Sequence, residues 1–247
     1  MLYTLTSIDT HLDFGFGIMG KSYYNSAEFL HKNMEQINDF QQKEMPMNFL
    51  YRHSIELFLK FLIVIFHKQL KLPYDTEPFD SVKPKILIDG KWRELYTCHW
   101  IDELYKYWLN ELLLKHKEDL EKLAPQGEWQ EDTNISKCFP LISKFDSDSS
   151  FFRYPVTKNT LLDAEKYTMR KIDTQKLEDV FSDELNTKDE GEKKRIIMLL
   201  KNDEGEIVDG FEKFENVLGN VTEALNKVSY YFICIHAMTR FTLCNRQ

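Results

Sequence analysis

Between Asn48 and Leu70 the chain reads NFLYRHSIELFLKFLIVIFHKQL, and the middle of this stretch is apolar on every side of a helix. A segment of that kind must be covered all round. Neither glycine nor proline interrupts it, Pro46 suits a first helical turn, and Leu72-Pro73 forces an end. Its longest unbroken apolar run, Phe61–Phe66, falls far short of the roughly 20 residues that span a bilayer. It is therefore expected to be the central helix of a soluble protein. A matching partner lies at Phe211–Phe241, where Phe214, Val217, Leu218, Val221, Leu225, Val228, Tyr231, Phe232, Ile235 and Met238 recur at helical spacing.

Around these two helices the remaining signals are local. Tyr23, Ala27, Leu30, Met34 and Ile37 predict an amphipathic helix after Gly20, and the glycine-spaced GFGIMG before it lacks the lysine-serine pair of a phosphate loop. Asp89-Gly90 within KILIDGKWREL is the strongest hairpin signal. A third helix is expected from His99 to Leu123 and a short one near Ile135–Phe145. DSDSSFFRYP reads as an ordered loop, and RIIMLLKNDEGEIVDGF as a second hairpin turning at Asp203–Gly205. Only 9 glycines and 7 prolines occur, which disfavours a turn-rich sandwich or barrel. The expectation is one mostly helical domain over residues 1–247, with one or two small hairpins and an insertion at about 156–210.

Composition narrows the function classes. Cys98, Cys138, Cys234 and Cys244 are scattered and form no paired ligand spacing, so they read as thiols rather than as a disulfide framework or zinc site. The first residues lack the basic start and apolar stretch of a signal peptide, which makes the cytoplasm the expected location. A net charge of −8 argues against sequence-blind nucleic-acid binding while leaving room for a small basic cleft. Its acidic excess lies after Asp163, with a dense patch at Asp189–Glu192 that reads as a solvated face. No HExxH, GxSxG or Walker sequence occurs, and no metal or cofactor is expected.

Three constellations have chemistry to offer. In RHSIELFLK, Arg52, Glu56 and Lys60 follow one helical face with His53 beside them. They form either a solvated edge laced by weak ion pairs or a half-buried cluster lining a cleft, in which Arg52 holds an anion and His53 exchanges a proton. Arg153 in FFRYP either stacks on its aromatic neighbours with donors free for a phosphate or carboxylate, or ties its loop to a helix carboxylate such as Glu56. Arg93 and His99 stand six apart, a spacing that this many arginines and histidines also produce by chance. His236 and Arg240 fit a core-edge histidine and a surface arginine.

RHSIELFLK, the helix opening HWIDEL at His99–Leu104, and DSSFFRYP, in this order across about Tyr23–Pro155, resemble bacterial proteins related to the HEPN superfamily. The resemblance implies an antiparallel bundle of four or five helices, pairing as a homodimer or within a protein hetero-complex. It also implies a place in bacterial defence or toxin–antitoxin systems. Many such proteins are metal-independent RNases carrying an Arg–x(4 to 6)–His signature, in which arginine holds the phosphate and histidine moves protons. Arg93 and His99 fit that spacing here, with Glu94 where a polar residue is usual. The alternative is a catalytically silent subunit that scaffolds or regulates a partner. A third reading is a small-molecule sensor with an apolar pocket edged by Arg52, His53 and Arg153. Trp92, Trp100, Trp108 and Tyr105 are expected to supply an interface.

Overall fold

The structure is a computed structural model describing residues 5–7, 11–37, 42–172 and 196–244. Its helices are α1 (Phe16–Lys32), α2 (Glu44–Leu70), α3 (Ile101–Lys106), α4 (Lys117–Leu123), α5 (Thr133–Ser136), α6 (Phe139–Asp146), α7 (Thr160–Asp163) and α8 (Leu218–Thr242). Strands β1 (Lys85–Ile88) and β2 (Lys91–Glu94) form one antiparallel hairpin, and β3 (Met169–Lys171), β4 (Ile196–Lys201) and β5 (Ile207–Lys213) form a second antiparallel sheet in the order β3-β5-β4. The protein is mostly helical with two small sheets. No helix among the described residues is long and apolar enough to cross a membrane.

α2 is the axis. Every residue from Ser54 to His67 is buried, and α1, α3 and α8 pack around it. Each large apolar side chain removed from water there stabilises by roughly 1.5–3 kcal/mol. Lys71 ends the helix in the left-handed conformation, with the Leu72 amide donating 2.9 Å to the His67 carbonyl, before Pro73. α8 runs along α2, joined by a buried Ser54–Ser229 hydroxyl pair at 2.5 Å. At one end of the bundle Tyr51 donates to Glu28 (2.7 Å) and Asn226 reaches both (3.0 and 2.7 Å), so that α1, α2 and α8 share one polar knot.

The glycines of GFGIMG serve packing. Gly15 takes a left-handed φ of 81° just before α1, and Asp13 accepts the Gly17 amide at 2.6 Å. A Cβ on Gly17 would stand 2.5 Å from His236 Nε2, so only glycine lets α1 approach α8 there. In the hairpin, Asp89 (φ 50°) and Gly90 (φ 72°) both take positive φ, as the Asp-Gly signal requires.

The structure corrects several boundaries. α1 starts at Phe16, before Gly20, and stops at Lys32, so Met34 lies beyond it in a short tight turn. The expected third helix is broken: Tyr107–Leu114 is wound as π-helix, and Lys115 and His116 separate it from α4. Residues 211–213 are strand, not helix, because β5 sits between β3 and β4 and pairs with both. Trp108 and Tyr105, expected at an interface, are core residues that pack on Phe232 of α8, whereas Trp100 is exposed. The acidic patch 189–192 lies outside the described residues.

Candidate functional site

Arg52 is wholly buried, and its guanidinium faces three different segments of chain. Nη1 donates 2.6 Å to Glu56 Oε2 one turn along α2, and Nη2 donates to the His99 carbonyl just before α3. Nε lies 3.3 Å from Asp146 Oδ2 at the end of α6, without hydrogen-bond alignment. Asp146 in turn accepts the Phe151 amide at 2.9 Å, which fixes the turn leading into Arg153. One planar cation thus registers α2, the His99 approach and the FFRYP loop against each other. The helical spacing seen in the sequence foretells only the Glu56 contact.

Glu56 is equally buried and collects three donors: Arg52, Lys60 Nζ at 2.9 Å and His99 Nδ1 at 3.0 Å. Burial works to raise its carboxyl, but Lys60 and Arg52 outweigh burial and hold it at about 2. An ionised carboxylate only accepts, so the proton of this contact sits on His99 Nδ1, and in the neutral ring the lone pair is on Nε2. The His99 side chain is 45 % exposed, so the free side of the ring is open to a ligand. Lys60 also donates 3.3 Å to the Tyr96 carbonyl, fastening the turn before His99.

The other candidates divide. Arg52 has no donor facing solvent, so the sequence reading in which it holds an anion is corrected: its charge is spent on Glu56 and Asp146. His53 does not join the ion network. It stacks on Phe49 (5.7 Å, 7° between planes) and meets the edge of Tyr23 (4.5 Å), and burial lowers its pKa. Arg153 is exposed and makes no bridge to Glu56; it donates 2.9 Å to Ser149 and lies over Phe49 at 5.4 Å. Arg93, on β2, places its guanidinium 5.5 Å from the ring of Trp100, the residue after His99. His236 and Arg240 are both buried, not edge and surface: Arg240 donates 2.6 Å to Asp13, and burial, then Arg240, lowers His236 to about 4.

The two rival constellations of the sequence therefore meet at one carboxylate, since Glu56 of RHSIELFLK bonds the His99 of the Arg93–His99 pair. The missed member is Asp146. Its position inside a run of aspartates and serines carries no signal, because only the fold brings it to Arg52. Among the described residues no cluster of three or more His, Cys, Asp or Glu is placed to hold a metal ion. Comparison with family models, with curated proteins and with solved structures finds no match to this chain.

Proposed function

We propose that the protein is a HEPN-like, metal-independent RNA endonuclease of a bacterial defence or toxin–antitoxin system, with His99 as its proton-transfer group. The observation that supports this reading is the Glu56–His99 contact: a buried, ionised carboxylate fixes the tautomer of a half-exposed imidazole. That is the arrangement a general base needs. His99 Nε2 takes the proton of an RNA 2′-hydroxyl as its oxygen bonds the adjacent phosphorus. The bond from phosphorus to the 5′-oxygen breaks, and the leaving oxygen takes a proton from solvent. Arg93, free of any carboxylate partner among the described residues, holds the phosphate oxygens. Lys60 and Arg52 keep Glu56 charged and are positioning residues.

The test is incubation of the purified protein with total RNA in EDTA. Cleavage by the wild type is expected, with His99→Ala abolishing it. Arg93→Ala should weaken it by about 2–4 kcal/mol of transition-state stabilisation. His53→Ala should leave the rate near that of the wild type. Loss of cleavage on His53→Ala with a neutral Arg93–His99 pair would remove His99 from the role. A folded wild type that cuts no RNA would leave the second reading, a silent subunit. The spent donors of Arg52 favour that alternative.

A further inference from the structure

The first turns of α2 and the loop after Phe151 enclose a recess of about 420 Å³, walled by Pro46, Phe49, Phe152, Tyr154 and Pro155 and edged by Arg153. That volume is within the range of small-ligand sites, roughly 300–1,000 Å³. Two things about the recess are unusual. Arg153 has no carboxylate within ion-pair distance among the described residues, and a single bond to Ser149 uses only one of its donors. Its guanidinium is instead laid between rings, 5.4 Å from Phe49 and 6.0 Å from Tyr154. Tyr154 is itself half exposed, at 51 %, so a flat π surface and an uncommitted cation stand side by side at the mouth.

The wall is built rather than incidental. Lys166 donates to the Tyr154 and Pro155 carbonyls (2.7 and 3.3 Å) and to Asp163 Oδ1 (2.6 Å), pinning the loop from behind. The amides of Arg153 and Tyr154 both bond the Ser150 carbonyl (3.2 and 3.0 Å). Through Asp146 and the Phe151 amide the same loop is registered on Arg52, which also holds the His99 carbonyl.

We infer that this recess is a subsite for one nucleotide of single-stranded RNA, its base stacked on the Tyr154–Arg153 surface and its phosphate on the Arg153 guanidinium. A ligand that satisfies both features needs a planar π face and an anion a few ångströms apart, as a nucleotide has. A paired base is already stacked within its helix and cannot enter, so the site selects single strands. The chain's net charge of −8 makes general attraction to phosphate weak, which leaves recognition to this local cation and ring. The inference rests on the RNA reading above.

The experiment measures fluorescence anisotropy of a short labelled oligoribonucleotide in EDTA, with His99→Ala protein so that the strand survives. Binding of the single strand is expected, with the duplex weaker by about tenfold or more. In the same background Arg153→Ala and Tyr154→Ala should each weaken binding about tenfold. Arg153→Lys, which keeps charge but not the planar stack, should fall between. Adenosine 5′-monophosphate should compete far better than orthophosphate. Both altered side chains are exposed, and thermal melts by circular dichroism check that the fold persists. Binding unchanged in Arg153→Ala, equal competition by orthophosphate, or no RNA binding at all would each overturn the subsite. RNA held through Arg153 but never cut by the wild type sinks the nuclease reading alone. RNA cut by the wild type with an unchanged KM in Arg153→Ala sinks the subsite alone.

Discussion

α2 and the three-stranded sheet are both rich in aliphatic residues, yet they treat them in opposite ways. From Ser54 to His67 every residue of α2 is buried, including the charged pair Glu56–Lys60. In β4, Ile196, Met198 and Leu200 are about half exposed, on a strand that pairs with β5 and lies at an edge of the described sheet. Local apolar content therefore does not decide burial; what packs against it does. α2 is enclosed by α1, α3 and α8, so its charged groups need partners inside, and Arg52, Glu56 and Lys60 find them by recruiting His99, Tyr96 and Asp146 from distant parts of the chain. Among the described residues the sheet is not enclosed in this way, and its Lys171–Asp209 ion pair is a surface one.

Acid should separate the two regions most sharply. His67 on α2 accepts the Tyr107 hydroxyl (2.9 Å) and donates to the Leu72 carbonyl (2.8 Å); burial lowers its pKa to about 4, as it does for His236 on α8. Both pKa values lie below their ordinary value of 6.5, so the neutral rings stabilise the fold fully above pH 6.5. That stability is lost as pH falls toward 4, by about 3 kcal/mol for each histidine. Urea unfolding followed from pH 7 to 4 should show a midpoint falling across this window. Strands β3, β4 and β5 contain no histidine, so their amides should lose hydrogen-exchange protection only together with the helices. If they exchange first, the sheet is a separate cooperative unit.

Arg52→Ala comes next, at about 3–5 kcal/mol, because it leaves the Glu56 and Asp146 carboxylates buried around an empty centre. Chemical denaturation would read it. A loss under about 1 kcal/mol would mean that water reaches the network, and α2 would then differ from the sheet only in degree. The smallest effect belongs to the sheet. Met198→Ala should cost within about 0.5 kcal/mol, against about 2–5 kcal/mol for Ile63→Ala on α2. A Met198→Ala cost approaching that of Ile63→Ala would show that the β4 face is covered in solution.

The same contrast sets how much of the molecule is legible in its sequence. The all-round apolar segment announces α2, and the turn at Asp89-Gly90 announces its hairpin, because both are local facts of pattern and backbone conformation. RHSIELFLK likewise yields Arg52–Glu56–Lys60 through the helical repeat. The decisive site contacts cross 43 residues, from Glu56 to His99, and 94, from Arg52 to Asp146, and no periodicity reaches so far. Trp108 and Tyr105 mislead for a related reason: an aromatic residue suits an interface and a core equally, and only the long-range packing on Phe232 decides between them.

The enclosure of α2 has a consequence during synthesis. One wall of its casing is α8, which begins at Leu218, 148 residues after Leu70. At roughly 5–20 residues per second the ribosome needs roughly 7–30 s to cross that interval. Throughout that time FLIVIF has emerged without its final cover, an apolar segment open to chaperones and to other nascent chains. Whatever the finished protein does, its cell must shelter this helix before the last one arrives to close over it.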